Sequence, residues 1–157
     1  MGIPIINEQF LPVAESLIKQ AKHEILLSSF KIEINERPRG RNLKNFFNEV
    51  IKKAKEGIKV KVLVNWHDDR RSVPRTNYPA GITLKNAGIA VRYLKNNRCC
   101  HAKILVVDRE QIIIGSHNLS IRSCESNFEI SHLTNEKSTV SMVCNIFDHV
   151  FGDGKNL

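Results

Sequence analysis

The stretch His101–Asp108, with the sequence HAKILVVD, is followed by Gly115–Asn118, with the sequence GSHN. Together the two segments read H-x-K-x4-D-x6-G-S-x-N, and apolar, mostly β-branched runs occupy positions 104–107 and 112–114. Such apolar runs are typical of buried strands. The stretch therefore predicts strands over 101–107 and 111–114, joined by a turn at 108–110.

Side chains alternate between the two faces of a strand, and this alternation predicts where the polar residues of the motif point. His101 and Lys103 are two positions apart, so both project to the same side. An imidazole beside an ammonium group suits a phosphate, and an anion would compensate a lysine placed on an apolar strand. Asp108 has the opposite parity and lies at the strand end, so we expect it to orient or support the structure rather than contact substrate.

A second polar pair follows the apolar strand at 111–114. Ser116 and Asn118 are again two positions apart, and the amide of Asn118 can donate a hydrogen bond to a phosphate oxygen. Gly115 allows the backbone to approach closely. Ser116 suits either the site or the closure of a turn. His117 has the wrong parity, so we expect it to pack away from the site.

These residues resemble the sequence mark of the phospholipase D superfamily, and the chain is similar to its small bacterial endonucleases that carry a single copy of the motif. The resemblance implies metal-independent phosphodiester cleavage through a phosphohistidine, with no cofactor. It also implies that Glu129, in an N-x-E context, accepts a hydrogen bond from the histidine, although a plain salt bridge is an alternative. The catalytic residues expected on this basis are His101, Lys103, Asn118 and Glu129, and the supporting residues are Asp108, Ser116 and Gly115.

The mechanism implied by the resemblance needs two histidines. One attacks phosphorus, and the other protonates the leaving oxygen and then activates water. The chain contains the H-x-K pair once. Because the small single-motif nucleases pair two chains about a two-fold axis, we expect a homodimer with one composite active site.

The rest of the chain alternates between helix and strand patterns. This alternation predicts an α/β fold with a mixed β-sheet flanked by helices on both faces, which is the layout of the phospholipase D fold. Apolar residues at helical spacing predict a helix over 11–22 and another that begins at Asn42 as N-cap and ends at Gly57. A length of 157 residues suits one core, so residues 1–157 are expected to form a single domain.

A formal net charge of +8 favours an anionic partner, with nucleic acid ahead of an acidic membrane surface. The segment 66–78 combines arginines, which bind phosphates, with aromatic residues, which stack on unpaired bases. An ordinary surface loop anchored by its tryptophan is an equally good interpretation, and the same holds for the arginines of 37–41. The candidate nucleic-acid-binding residues are Trp66, Arg70, Arg71, Arg75, Arg39 and Arg41.

The remaining residue patterns argue against several classes of protein. The four cysteines lack C-x-x-C spacing, so reduced thiols are expected and no metal site is predicted from them. The triplet His67–Asp69 has metal-binding side chains but is interpreted as a solvated loop. No apolar segment has the length of a membrane span, and no signal peptide is apparent. We therefore expect a cytoplasmic protein with no membrane partner.

Three functions compete. The leading hypothesis is a nuclease that cuts DNA or RNA, either alone or as the nuclease domain of a larger restriction or defence enzyme. The alternative is a lipid hydrolase acting on cardiolipin or phosphatidyl lipids, for which the sequence offers no amphipathic docking segment. A non-catalytic nucleic-acid-binding module is a third hypothesis, and the intact motif argues against it.

Overall fold

A computed structural model describes residues 2–34, 40–67 and 73–157, which build an eight-stranded sheet flanked by helices. The strands are β1 (Gly2–Ile6), β2 (Glu24–Ser29), β3 (Lys59–Val64), β4 (Ala90–Tyr93), β5 (Ile104–Val107), β6 (Gln111–Gly115), β7 (Ile130–Thr134) and β8 (Lys155–Asn156). The helices are α1 (Phe10–Gln20), α2 (Arg41–Lys55), α3 (Asn77–Asn86), α4 (Ile121–Glu125) and α5 (Lys137–Asp153). The strand order is β1-β7-β6-β5-β2-β3-β4-β8.

Strand β2 lies at the centre of the sheet, and all six of its residues are buried. It pairs in parallel with β3, which pairs in parallel with β4. Parallel neighbours need a crossover connection, and α2 and α3 supply it. On its other side β2 pairs antiparallel with β5, and β6, β7 and β1 continue the antiparallel half. The predicted mixed sheet is confirmed.

Helices cover both faces of the sheet, as predicted. Apolar side chains of α1, α2 and α3 pack on one face, where Phe46 and Phe47 are fully buried. Helix α5 covers the other face, where Phe147 and Phe151 belong to the same core cluster as Val106 of β5. The two layers bury both surfaces of the central strands and so hold the strand ends in fixed positions.

Several predicted boundaries are wrong. Helix α2 begins at Arg41 and not after Asn42, because the first helical hydrogen bond runs from the Lys44 N–H to the Gly40 carbonyl. Gly40 is the N-cap, with a φ of 125° that favours glycine. Strand β5 begins at Ile104 and not at position 101, because its pairing with β2 begins at the Ile104–Ser28 pair. Helix α3 begins inside the segment that was predicted to be a loop. His101 and Lys103 therefore lie in the segment that leads into β5 and not within the strand.

Strands β1 and β8, at the two edges of the sheet, are absent from the sequence prediction. Both are short, and β8 has only two residues. Pro4 lies within β1, where an edge position tolerates its missing N–H group. Short edge strands of this kind carry too little apolar alternation for a sequence pattern to reveal them.

Candidate active site

Four chain segments meet at one end of the sheet, where β2 ends, β5 begins, β6 ends and β7 begins. The ladder pairs Ser28 with Ile104, and Gly115 with Ser131, so these strand ends are neighbours in space. The carboxyl ends of parallel strands commonly frame ligand sites in α/β sheets, and β2 contributes such an end here. The polar residues of the motif are therefore gathered at this edge.

His101 and Lys103 contact each other directly. The Lys103 Nζ lies 2.8 Å from the His101 Nδ1 and also donates to the His101 carbonyl oxygen at 2.7 Å. Both side chains pack on Phe30, whose ring centroid is 4.7 Å from that of His101 and 5.7 Å from the Lys103 Nζ. His101 is exposed and Lys103 is half-buried. The imidazole and the ammonium thus pack on the same aromatic ring, and both remain accessible from solvent.

Partial burial changes the titration of Lys103. Desolvation lowers the pKa of its ammonium below the ordinary value, while the nearby Cys99 and Glu129 act in the opposite direction. Glu129 therefore acts on Lys103 as a neighbouring negative charge.

Asn118 is held by the residues that flank Phe30 in the chain. Its Oδ1 accepts hydrogen bonds from the Lys31 N–H at 3.1 Å and from the Ser29 hydroxyl at 3.4 Å. Its own backbone N–H donates to the Ser123 hydroxyl at 2.8 Å. Because the carboxamide oxygen is held by the protein, the NH2 group is the end that is turned towards a further acceptor.

Glu129 is buried at the start of β7 and accepts hydrogen bonds from three side chains. The donors are the Ser116 hydroxyl, the Ser123 hydroxyl at 2.7 Å and the Asn127 Nδ2 at 3.1 Å. Burial acts to raise the pKa of Glu129, but these hydrogen bonds outweigh it, so the pKa lies below its ordinary value. The expected hydrogen bond from His101 is not among those that the described residues make, because the His101 Nδ1 faces Lys103 instead.

Gly115 and Ser116 connect the motif to β7. A Cβ atom at Gly115 would lie 2.4 Å from the Ser131 Cα, so no larger residue fits between the strands. The Ser116 Oγ accepts from the Ile130 N–H at 3.1 Å and donates to Glu129. Gly115 therefore sets how closely β6 approaches β7, and Ser116 helps to hold the Glu129 carboxylate in place.

His117 and Asp108 make their contacts within the fold. His117 is buried and stacks on Phe10, with its Nδ1 2.7 Å from the Ser131 hydroxyl and its Nε2 3.0 Å from the Asn7 carbonyl. Burial lowers the pKa of His117 and so favours the neutral ring, and because a carbonyl oxygen only accepts, Nε2 is the donor to it. Asp108 lies at the far end of β5, where three backbone amides donate to its carboxylate.

Two buried asparagines position the site, and the sequence patterns did not single them out. The Asn77 Nδ2 donates to the carbonyl oxygens of Phe30 and Asn65 at 2.8 and 2.9 Å, and its Oδ1 accepts from the Ile32 N–H at 2.9 Å. The Asn65 Oδ1 accepts from the Cys100 N–H, next to His101, at 3.1 Å. Asparagine in a turn-rich segment is common, so only the contacts between distant segments reveal this role.

Of the candidate nucleic-acid-binding residues, the structure describes Arg41, Arg75 and Trp66. Arg39, Arg70 and Arg71 lie outside the described residues, as do Asp68 and Asp69. Arg41 and Arg75 are exposed, near the N-terminal ends of α2 and α3. Trp66 is half-buried against the core, and its ring centroid lies 4.7 Å from that of Tyr78. Trp66 therefore anchors its segment.

Residues 2–34, 40–67 and 73–157 contain neither a metal-binding cluster nor a helix that could span a membrane. In these ranges, no group of three or more His, Cys, Asp or Glu side chains has the arrangement of a metal site. No helix within them combines the length and the apolarity needed to cross a bilayer.

A family model described as "Cardiolipin synthase, PLD-like domain" matches residues 15–151. The chain belongs to this family, and the resemblance to the phospholipase D superfamily is thereby confirmed. Among curated proteins it is similar to the cardiolipin synthase of Alkalihalophilus pseudofirmus, with 34% identity over 98 residues, which are 62% of this chain and 19% of the relative. The cardiolipin synthase of Halalkalibacterium halodurans is 35% identical over 91 residues, covering 57% and 18% of the two chains. The matched regions thus span less than a fifth of these relatives.

Solved structures confirm the fold over the whole chain. The phospholipase D family member Nuc from Salmonella typhimurium superposes with a TM-score of 0.80 at 17% identity and covers 100% of this chain and 99% of its own. NucT from Helicobacter pylori gives a TM-score of 0.78 at 15% identity, with the same coverage of 100% and 99%. A phosphatidylserine synthase from Haemophilus influenzae gives 0.72 at 14% identity, covering 99% of this chain and 40% of its own. The phospholipase D-like α/β fold is established by these superpositions.

Proposed function

We propose that the protein hydrolyses phosphodiester bonds of DNA or RNA through a covalent intermediate on His101. The observation that carries this proposal is the grouping of His101 and Lys103 on Phe30, together with the Asn118 carboxamide, which is held by Ser29 and Lys31, the two chain neighbours of Phe30. At this end of the sheet an imidazole can supply a nucleophile, and an ammonium and an amide can supply two ligands for phosphate oxygens.

Lys103 and Asn118 bind the nonbridging oxygens of the phosphate. In the structure the Lys103 ammonium donates to the His101 Nδ1. A phosphate oxygen is a stronger acceptor for an ammonium than a neutral imidazole is, so substrate draws Lys103 away and frees the ring. Phosphate binding and release of the nucleophile are thereby coupled.

The first chemical step forms a bond between a ring nitrogen of His101 and phosphorus. The bond from phosphorus to the leaving oxygen breaks, and a second histidine gives that oxygen its proton. In the second step the same histidine removes a proton from water, whose oxygen attacks phosphorus and breaks the bond to His101. Lys103 and Asn118 stabilise the negative charge of both transition states.

The second histidine comes from another copy of the chain. The H-x-K pair occurs once in the sequence, and His117, the other histidine of the motif, is buried and hydrogen-bonded on both ring nitrogens. Two copies related by a two-fold axis would place two His101 side chains, two Lys103 side chains and two Asn118 side chains in one site.

Nucleic acid is the substrate class that the surface charge favours. The net charge is +8, and Arg41 and Arg75 extend into solvent from the helix ends. Cationic side chains that neutralise backbone phosphates account for most of the affinity for nucleic acids. Arg41 and Arg75, together with Arg39, Arg70 and Arg71, are proposed to hold the phosphates that flank the cleaved one.

A lipid phosphodiester is the second candidate, and the family match favours it. The curated relatives named above are cardiolipin synthases. The catalytic chemistry at His101 would be identical, with glycerol-linked oxygens as the leaving group. The two candidates differ in what surrounds the phosphate and not in the step at phosphorus.

A side-by-side assay of the purified protein distinguishes these candidates. Labelled single- and double-stranded DNA, RNA, and vesicles that contain cardiolipin or phosphatidylglycerol are each incubated with the protein in EDTA. We expect cleavage of a nucleic acid, because the mechanism draws on His101 and Lys103 and not on a divalent ion. If only lipid were turned over, the second candidate would replace the first. If activity were lost in EDTA and returned only with a divalent ion, the mechanism would be refuted.

A further inference from the structure

The solvent-exposed face of helix α2 takes no part in the step at phosphorus. All of its exposed residues are arginine, lysine or asparagine: Arg41, Asn42, Asn45, Asn48, Lys52 and Lys55. No exposed side chain of this helix is acidic or apolar. We call these six residues the α2 face. Side chains of this kind donate hydrogen bonds to phosphate oxygens, and the cationic ones also neutralise phosphate charge.

Helix α2 concentrates the positive charge of the chain. Its 15 residues contain five cationic side chains and one carboxylate, that of Glu49. The resulting net charge of +4 is half of the +8 carried by all 157 residues. A charge that served solubility alone could be spread over the whole surface, whereas a charge collected on one helix creates a local positive potential that attracts polyanions.

The carboxylates near the α2 face leave its lysines available to a ligand. The Lys52 Nζ lies 3.6 Å from the Glu49 carboxylate and 3.9 Å from that of Glu56. Both distances are longer than a direct hydrogen bond, and the Lys52 side chain is 62% exposed. Exposed ion pairs of this kind contribute little free energy, so a phosphate can replace the carboxylates as the partner of Lys52.

The α2 face extends along the sheet from the end that contains the candidate active site. Helix α2 connects β2 to the parallel strand β3, so it runs from the end of β2 back to the opposite end of the sheet, where β3 begins. The helix is about 22 Å long, and one strand of B-DNA places about six phosphates along this length. Arg41 therefore lies at the end of α2 that is nearer to His101, and Lys52 and Lys55 lie further away.

The packing of α2 argues against a lipid surface as its partner. The apolar side chains of Leu43, Phe46, Phe47 and Val50 are all buried in the core. A helix that binds a membrane surface needs an apolar face that is free to enter the lipid. The α2 face is therefore limited to polar contacts with an anionic partner, and such contacts are how proteins bind the backbone of nucleic acids.

We propose that the α2 face binds the phosphate backbone of a nucleic acid and holds the strand beside the site at His101. This inference rests on the proposed function, because it names a surface that binds the substrate outside the cleaved phosphate. Contacts to the backbone carry no direct information about the bases. The α2 face therefore supplies affinity without a sequence preference.

Equilibrium binding at several salt concentrations tests the α2 face. The probes are a fluorescein-labelled DNA duplex and one of its single strands, titrated in EDTA with His101→Ala protein so that the probes stay intact. Adding Lys52→Gln and Lys55→Gln together should weaken duplex binding about 10- to 50-fold at about 0.1 M salt. The slope of the logarithm of the binding constant against that of the salt concentration should fall in magnitude by about one for each lysine. Asn45→Ala with Asn48→Ala should weaken binding less and leave the slope unchanged, because an amide carries no charge.

Lys95→Gln with Lys137→Gln is the matched control, since it removes the same charge from two exposed lysines outside α2. Its affinity and its salt slope should stay close to those of the His101→Ala parent, and circular dichroism checks that every variant is folded. Equal losses in the control and in the α2 variant would mean that only the total charge matters and would overturn the inference. A slope that the α2 variant left unchanged on both probes would overturn it as well.

Vesicles of anionic phospholipid provide the second arm of the experiment. If the lysine variant of α2 lost vesicle binding but kept its DNA binding, the α2 face would be a lipid surface and the inference would fail. The outcome for the proposed function is separate. A wild type that bound DNA through the α2 face but cleaved neither DNA nor RNA would support the surface and refute the nuclease, whereas cleavage without any change of slope in the α2 variant would do the reverse.

Discussion

The two ends of strand β5 carry different parts of the same motif. At the beginning of the strand, His101 and Lys103 face a surface that is open to substrate, and they contact each other and Phe30. At the other end, Asp108 and Arg109 occupy the turn into β6, where both residues have positive φ angles of 53° and 55°. Residues adjacent in a motif therefore need not share a task, because the strand separates them in space.

At the end of β5 that leads into the turn, here called the turn end, the charged side chains are paired within the fold. The Asp108 carboxylate accepts from the N–H groups of Lys22, His23 and Glu24 at 2.8 to 2.9 Å and so fixes the turn between α1 and β2. Arg109 bridges Glu24 and Asp148 at 2.7 and 2.8 Å. Paired charges at this end stabilise the fold, whereas the polar groups at the site end are the ones that we propose bind phosphate. This difference is the basis for four predictions.

The largest effect is expected for His101→Ala. Loss of the nucleophile should lower the turnover rate by about 10³- to 10⁶-fold. The free energy of unfolding should change by less than about 0.5 kcal/mol, because an exposed side chain contributes little to the core. Turnover and thermal unfolding are measured together, with His149→Ala, an exposed histidine of α5, as the control. Residual activity within tenfold of wild type would place the nucleophile elsewhere.

The next effect concerns Lys103 and is sensitive to pH. Lys103→Met removes a donor to the transition state and should lower the turnover rate by about 10²- to 10³-fold. Lys103 acts in its charged form, and burial lowers its pKa below the ordinary 10.5. The rate of the wild type should therefore fall as the pH rises, with a midpoint below that value.

Lys103→Arg tests this assignment, since a guanidinium stays charged across the range. Its alkaline limb should move to higher pH even if its maximal rate is reduced. An alkaline limb that is the same in wild type and Lys103→Arg would assign that titration to another group.

At the turn end, Asp108→Ala should reduce stability rather than chemistry. Losing three hydrogen bonds to a charged acceptor should cost about 2–4 kcal/mol of unfolding free energy. Burial acts to raise the pKa of Asp108, but the backbone donors outweigh it and hold the pKa below its ordinary 3.8. A depressed folded-state pKa contributes stability above the ordinary value, and this contribution disappears as the pH falls through the folded-state value. Denaturant unfolding should therefore show a gap between wild type and variant at neutral pH that narrows in acid, and a gap that widened in acid would contradict this role.

The smallest effect is expected for Arg109→Ala. Its ion pairs are partly exposed, so their loss should change the unfolding free energy by about 0.5–1 kcal/mol, less at high salt. Turnover per folded molecule should be unchanged. A large loss of turnover in Arg109→Ala would contradict the claim that the turn end of β5 serves only stability.

The local pattern around the motif predicted much of this arrangement. Apolar periodicity predicted the helices on both faces, and the apolar runs predicted the hairpin of β5 and β6. His101 and Lys103 do lie together, although they precede β5, so strand alternation is not the reason for their contact. These features depend on neighbours in the chain. The hairpin, the fold class and the accessible polar groups follow from such local rules.

The contacts that position the site come from distant segments and have no local pattern. Asn77 holds the carbonyl oxygen of Phe30 from 47 residues away, and Phe30 forms the floor beneath His101. A buried asparagine that bridges three segments is indistinguishable in sequence from one in a turn. The partners of Glu129 are similarly set by how β6, α4 and β7 converge, which the spacing of residues does not determine.

Mixed dimers test the central claim that two copies share one site. Wild-type and His101→Ala chains with different tags are folded together, and the dimers that carry both tags are isolated and assayed. A heterodimer has one imidazole in the composite site, so it has a nucleophile or a general acid but not both. We predict that its turnover falls to a few per cent of wild type or less. A heterodimer that retained about half of the wild-type rate would show that each chain acts alone and would contradict the shared site.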